Sequence, residues 1–343
     1  VSKTGKAKQH PAFVEPRLAF HDSTRLQFKT NTLKRHLSVE IEVDQVGNAS
    51  DGAKLKSAVF GDAVTADGSL HGGFAHEVNT MPRNGDQFLK HIKEITDGYA
   101  ELAAACSIDC GLHVHVNCSD LNFYDLRRVI LLYAKVERAL FELCADTRLH
   151  SQYSMPCGTE YRNMSPDPAI FRRQLLGTFY GDDNKLLPKK GQRDVPDAKR
   201  DKHHTNKRYR ALNVHSYFMR KTLEFRHHEG SVDYNEITNW AMICGHVIDS
   251  AVRLAEAKIT ALPTNPFTAL MAVLPENLQA HCRGKWGANL ETTVNYSGAG
   301  KMRYGRAVND GYWDIQHFLS GTLPTLEPKV PNNKAAADLL AGC

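Results

Sequence analysis

The sequence predicts an α+β fold with the chemistry on one face of a sheet, and three observations lead there. Short segments alternate apolar and polar residues, longer segments carry apolar residues at helical spacing, and the two kinds interleave along the chain without an internal repeat. The 343 residues are 42% hydrophobic and 24% charged, enough for a sizeable core, which excludes disordered, collagen-like and coiled-coil classes. No apolar run approaches the roughly 18–20 residues of a membrane-spanning helix, so no membrane partner is expected. The basic start, Val1–Lys6, lacks the apolar core of a signal peptide.

Residues 1–34 are polar and basic, contain Pro11 and Pro16, and read as an arm with little regular structure. One domain is then expected over 35–320. Its first strand, His36–Val43, puts Leu37, Val39, Ile41 and Val43 on one face and Ser38, Glu40 and Glu42 on the other. A weaker strand, Phe74–Thr80, follows the turn signal Ala66–Ser69 and places Glu77 and Asn79 together. A helix over Asp86–Cys106 buries Phe88, Ile92, Ile95, Tyr99 and Leu102. The strand Cys110–Asn117 sets Leu112, Val114 and Val116 against His113, His115 and Asn117.

A second helix is expected from the cap candidates Ser119 and Asp120, with Leu126, Ile130, Tyr133, Val136 and Leu140 inward. In Thr222–Arg226, Leu223 and Phe225 oppose Glu224 and Arg226. The longest helix is expected over Asp233–Lys258, and shorter ones over 166–176, 267–281 and 311–319. Residues 181–210 mix lysines, arginines and aspartates without apolar periodicity and read as a solvated loop, either a lid or contact segment or a tolerated insertion. Residues 321–343, with Pro324, Pro328 and Pro331, read as an extended tail.

Eight cysteines without a CxxC pair, mostly in apolar surroundings, suit a reduced, cytoplasmic protein. The net charge of +5 is too mild to indicate nucleic-acid binding. Aromatic residues are sparse in the basic loop, so any nucleic-acid or other anionic contact there would be to phosphate. The polar strand faces are more informative. Glu40 and Glu42, two positions apart on one face, repel until one takes up a proton or a cation intervenes. If the polar faces converge, Glu40, Glu42, Glu77 and Glu224 meet His113, His115 and Arg226. An oxygen-rich set suits Mg2+ or Mn2+, and four carboxylates call for two or more ions. Such a site with an arginine suits phosphoryl transfer. There is no GxxxxGK[ST] loop, and no GxGxxG opens a Rossmann unit.

Glu40-x-Glu42, Glu77, His113-x-His115 and Glu224-x-Arg226, in that order, resemble the glutamine synthetase-like carboxylate–amine ligases. The wording is closer to the amidoligase family within that group: VEIE (39–42), DGSL (67–70), HEVNTMP (76–82), CGLHVHVN (110–117), RYRALN (208–213) and TLEFRHHEGSVD (222–233). The resemblance covers about 36 to 255. It implies a curved antiparallel sheet forming an active-site funnel, with helices packed outside. It implies that Glu40, Glu42, Glu77, His113 and Glu224 bind the metal ions, usually magnesium, that hold the phosphates of ATP. His115 would contact a phosphate, with Asn117 and, as a lesser candidate, Arg210 also on the nucleotide, and Arg226 would hold the substrate carboxylate or its acyl phosphate. The implied reaction phosphorylates a carboxylate with ATP and lets an amine displace the phosphate. Two departures stand out. Glutamine synthetases place a further glutamate after the position of Glu77 that has no match here, and Thr222 stands where those enzymes carry a basic residue.

Two other classes remain open at this level. A metallohydrolase built on His113-x-His115 would have no use for ATP, but such sites are richer in histidine and do not begin with an ExE strand. A non-enzymatic amidoligase-like protein, for instance in a phage particle, could use the basic loop to contact a partner. The intact acidic and histidine positions argue against a decayed site.

Overall fold

A computed structural model describes residues 33–47, 64–65, 70, 75–145, 148, 151, 153–180 and 209–295 of the chain. The expected arm up to residue 32, the turn Ala66–Ser69, the basic loop 181–208, the helix 311–319 and the tail 321–343 lie outside the described residues. Residues up to Asn289 form one compact unit, and of the second, Leu290–Cys343, the described part is the end of one helix.

The strands are β1 (Leu37–Val43), β2 (Val64–Thr65), β3 (His76–Asn79), β4 (Gly111–Asn117), β5 (Leu212–Asn213) and β6 (Thr222–Glu229). They form one antiparallel sheet in the order β2–β3–β1–β4–β6–β5, with β2 and β5 at open edges. The helices are α1 (Gly85–Glu101), α2 (Phe123–Phe141), α3 (Gly158–Arg162), α4 (Pro168–Tyr180), α5 (His215–Arg220), α6 (Tyr234–Arg253), α7 (Glu256–Thr260), α8 (Pro266–Met271) and α9 (Glu276–Asn295). The architecture is α+β. Among the described residues no helix is long and apolar enough to cross a membrane.

The apolar sheet face lies under helices. Leu37, Val39, Ile41, Leu112, Val114, Val116, Leu223 and Phe225 are at most 1% exposed. α6 packs on β1 and β4, and α2 packs on β6. A Cβ added at Gly245 of α6 would lie 2.0 Å from Leu33 and 3.5 Å from Leu37, so the helix reaches the strand only because that position has no side chain. Each large side chain buried here contributes about 1.5–3 kcal/mol of transfer free energy.

Several boundaries differ from the sequence expectation for visible reasons. α1 ends at Glu101 rather than Cys106, because Ala103 takes a left-handed φ of 46° and Ala105 pairs with Gln45 beyond β1. α2 starts at Phe123 under Asn122, whose side chain forms a capping box with Asp125, and not under Ser119 or Asp120. Asp120 instead accepts from Arg35. α6 stops at Arg253, where the Leu254 carbonyl turns to Arg128 Nη1 at 3.0 Å. The helix expected over 267–281 is two helices, divided where Pro275 precedes α9.

Candidate functional site

The register brings the polar side chains together. Across β1 and β3, Glu42 faces Glu77 and Glu40 faces Asn79. Across β1 and β4, Glu40 faces His113 and Ser38 faces His115. Across β4 and β6, His115 faces Glu224, and β5 sets Asn213 opposite Glu224. Directly opposed residues share a face, so carboxylates more than a hundred residues apart in sequence meet on one surface.

Glu40 is the centre of this cluster. Its Oε2 accepts from His113 Nδ1 at 3.0 Å and its Oε1 from His115 Nε2 at 2.9 Å. His115 Nδ1 lies 3.0 Å from the Thr222 hydroxyl, and that hydroxyl lies 2.8 Å from Ser216 Oγ. Glu224 Oε2 accepts from Asn213 Nδ2 at 2.6 Å, and Oε1 accepts from Arg226. Arg226 also donates from Nε to the Tyr153 carbonyl at 3.0 Å and lies 5.7 Å over the Tyr209 ring. Glu42 Oε2 accepts from the Gly111 backbone N–H at 2.5 Å, while Oε1 lies 3.8 Å from His113 Nε2. Glu77 accepts from Asn79 Nδ2 at 2.5 Å.

The electrostatics are uneven. Burial would push the Glu40 carboxyl up, but the adjacent His115 and the bonds from both histidines outweigh it and hold it well below the usual range. Burial also opposes ionisation of Glu224, and Arg226, then His115, bring it down to about 2. Glu77 goes the other way. Burial, then the charge of Glu40, push it up to about 7 despite the Asn79 bond.

The donor set fits a divalent cation. Glu40, His115 and Glu224 each offer a ligand atom within 4.8 Å of the others, and so do Glu40, Glu77 and His113. The two groups share Glu40, and both are dominated by oxygen, as Mg2+ and Mn2+ sites are. Glu42 adjoins them with one oxygen already on Gly111. His115, expected at a phosphate, sits in the first group. Asn117 lies at the end of β4, its Oδ1 accepting from the Ser119 N–H at 3.0 Å. Arg210 forms a backbone bridge with Met155 two residues before β5.

Several contacts here carry no sequence signal. A bulge lets Arg226 and His227 together oppose His113, since Leu112 pairs with His228 and Val114 with Phe225. The buried Arg148 guanidinium holds it, Nε donating to the His227 carbonyl at 3.1 Å and Nη2 to the Arg226 carbonyl at 2.9 Å. A Cβ at Gly111 would meet His113 Nε2 at 2.9 Å, Glu42 Oε2 at 3.2 Å and Arg148 Nη2 at 3.3 Å. Glycine keeps that corner open. The spacing Thr222-x-Glu224 signals a shared face, but the contact of Thr222 with His115 needs the sheet.

The chain is an antiparallel α+β protein with carboxylates and imidazoles gathered on one sheet face, flanked by arginine. The family model described as "putative amidoligase enzyme" matches residues 21–248, about two thirds of the chain, and the chain belongs to that family. No curated protein and no solved structure gives a significant match.

Proposed function

We propose that the protein is an ATP- and Mg2+-dependent carboxylate–amine ligase that forms an amide through an acyl phosphate and releases ADP. One observation carries this beyond the family assignment: two oxygen-rich ligand groups share Glu40 and adjoin the Glu224–Arg226 pair. The polar face of the sheet serves as the wall of the active-site funnel.

A carboxylate is a poor electrophile, and phosphorylation supplies it with a leaving group. The difficulty is that one anion must attack another. Bound cations would supply positive charge to the phosphates, held by Glu40, Glu77, His113, His115 and Glu224, with Glu42 beside them. Arg226 stabilises the substrate carboxylate and the negative charge that develops as phosphate departs. Its orientation is set by Glu224, the Tyr153 carbonyl and the Tyr209 ring, so little rotamer freedom is lost on binding. Thr222 and Ser216 fix the ring of His115. Asn117 and Arg210 would contact the nucleotide. The substrates are a small-molecule or peptide carboxylate and an amine.

The test is ADP release from ATP and Mg2+ with panels of carboxylates and amines, together with binding of a non-hydrolysable ATP analogue. Wild type is expected to bind the analogue only with a divalent cation, and Glu224→Gln to lose both binding and turnover. Cation-independent binding, or equal turnover by the variant, overturns the assignment.

A further inference from the structure

Two of the arginines near the carboxylates differ in character. Arg226 is held on several sides, and its side chain is 14% exposed. Arg220 is 52% exposed, and its Nη1 lies 3.5 Å from Glu40 Oε1, the oxygen that also accepts from His115. Arg220 therefore leans on the one carboxylate that both ligand groups share.

Its backbone is fixed and its side chain is not. Arg220 ends α5, and the next residue, Lys221, takes a left-handed conformation with φ 59°. The Lys221 N–H donates to the Tyr217 carbonyl at 3.1 Å, and the Lys221 carbonyl accepts from Cys118 N–H at 2.8 Å. The chain then enters β6 at Thr222. A long, half-exposed side chain thus projects from a pinned turn at the rim of the cluster.

A divalent cation on Glu40 would remove the attraction that places Arg220 there and would repel the guanidinium. We propose that Arg220 is a displaceable counter-charge: it neutralises Glu40 in the cation-free protein, is driven off when a divalent cation binds, and then pairs with a phosphate oxygen of the nucleotide. This rests on the ligase reading above. It gives one side chain two anionic partners in succession, a carboxylate in the empty site and a phosphate in the loaded one, both of which suit a planar guanidinium. Cation loading would thereby prepare the anion contact, so that the nucleotide meets a released arginine rather than a neutralised one.

The experiment compares wild type, Arg220→Met and Arg220→Lys. Mn2+ binding is measured without nucleotide, and binding of a non-hydrolysable ATP analogue is measured at saturating Mn2+. Removing a half-exposed competing charge should tighten Mn2+ binding by about three- to tenfold in Arg220→Met. Losing the phosphate partner should weaken analogue binding by about tenfold in the same variant. Arg220→Lys, which keeps the charge and loses the fork, should stay near wild type for Mn2+ and fall between the two for the analogue. Equal Mn2+ affinity in wild type and Arg220→Met overturns the counter-charge role alone. Unchanged analogue affinity overturns the phosphate contact. Absence of Mn2+ binding in all three proteins overturns the ligase reading and this inference together.

Discussion

Two histidine pairs in one sheet lie on opposite faces. His113 and His115, two apart on β4, project to the polar face and donate to Glu40. His227 and His228, adjacent on β6, both turn to the helix layer. His227 lies 4.7 Å from the Phe141 ring and 5.6 Å from Trp240, its Nε2 is 2.9 Å from the Tyr133 hydroxyl, and His228 is 5.2 Å from Trp240. All four are buried. Burial alone therefore does not assign a role. The first pair meets the carboxylate of Glu40 on the polar face; in the second, His227 meets aromatic rings, and His228 lies between Trp240 and the carboxylates of Glu229 and Glu236, 3.7 and 3.6 Å away.

The largest effect that would sharpen this contrast lies at the shared carboxylate. Glu40→Gln keeps the shape but removes the charge common to both ligand groups. ADP release is expected to fall by at least about 10²–10³-fold, with the thermal midpoint and far-ultraviolet circular dichroism close to wild type. Unchanged turnover would break the contrast outright.

His227→Ala should act on the other side. It removes the Tyr133 partner and opens a cavity among Phe141, Phe225 and Trp240, at a cost of about 2–4 kcal/mol in urea denaturation. Mn2+ affinity of the folded fraction should stay within about twofold of wild type, corresponding to an energy below about 0.5 kcal/mol. His113→Gln is expected to show the reverse pattern, with weaker Mn2+ binding and a small stability change.

Gly111→Ala comes next, since its methyl group would press on His113, Glu42 and Arg148 together. Overpacking of this kind costs about 1–3 kcal/mol, and weaker Mn2+ binding should accompany the lower denaturation midpoint.

A further effect is in pH dependence. Burial, then the charges of Arg148 and His228, lower the His227 pKa to about 3, while an exposed histidine titrates near 6.5. The native imidazole stays neutral, so below about pH 6.5 the unfolded chain takes up a proton that the native state refuses. Stability from this group is complete above that pH and falls toward pH 3, by at most about 1.4 kcal/mol per unit. Glu224, held at about 2, contributes above its ordinary value near 4.5 and loses that contribution as pH falls toward 2. Denaturation at pH 7, 5.5 and 4.5 should thus show a slope that is shallower in His227→Gln. Equal slopes would remove His227 from the account.

The apolar alternation of β1, β4 and the start of β6 was readable from sequence because period two in a half-buried strand is enforced by the water on one side. The same periodicity marked Glu40, Glu42, His113, His115, Glu224 and Arg226 as polar-face residues. The expected strand stopped at Arg226, so it did not anticipate the bulge at 226–227, after which His228 faces the helix layer. Arg148 was not readable at all, and Asn213 only as the last residue of the RYRALN motif, with no sign of a role; Asn213 lies in a two-residue strand, and neither has a local pattern that points toward the carboxylates.

The sequence by itself determined which side chains face the core and which face away, the order of the main strands and helices, and the family. Those properties follow from local periodicity and from motifs written in consecutive residues. Only the tertiary structure decided which carboxylates oppose one another, that Glu40 belongs to both ligand groups, that Arg220 reaches it, and that His228 turns inward. These depend on register and on one inserted residue, and a shift of a single position in any strand would have sent the same side chains to the opposite face.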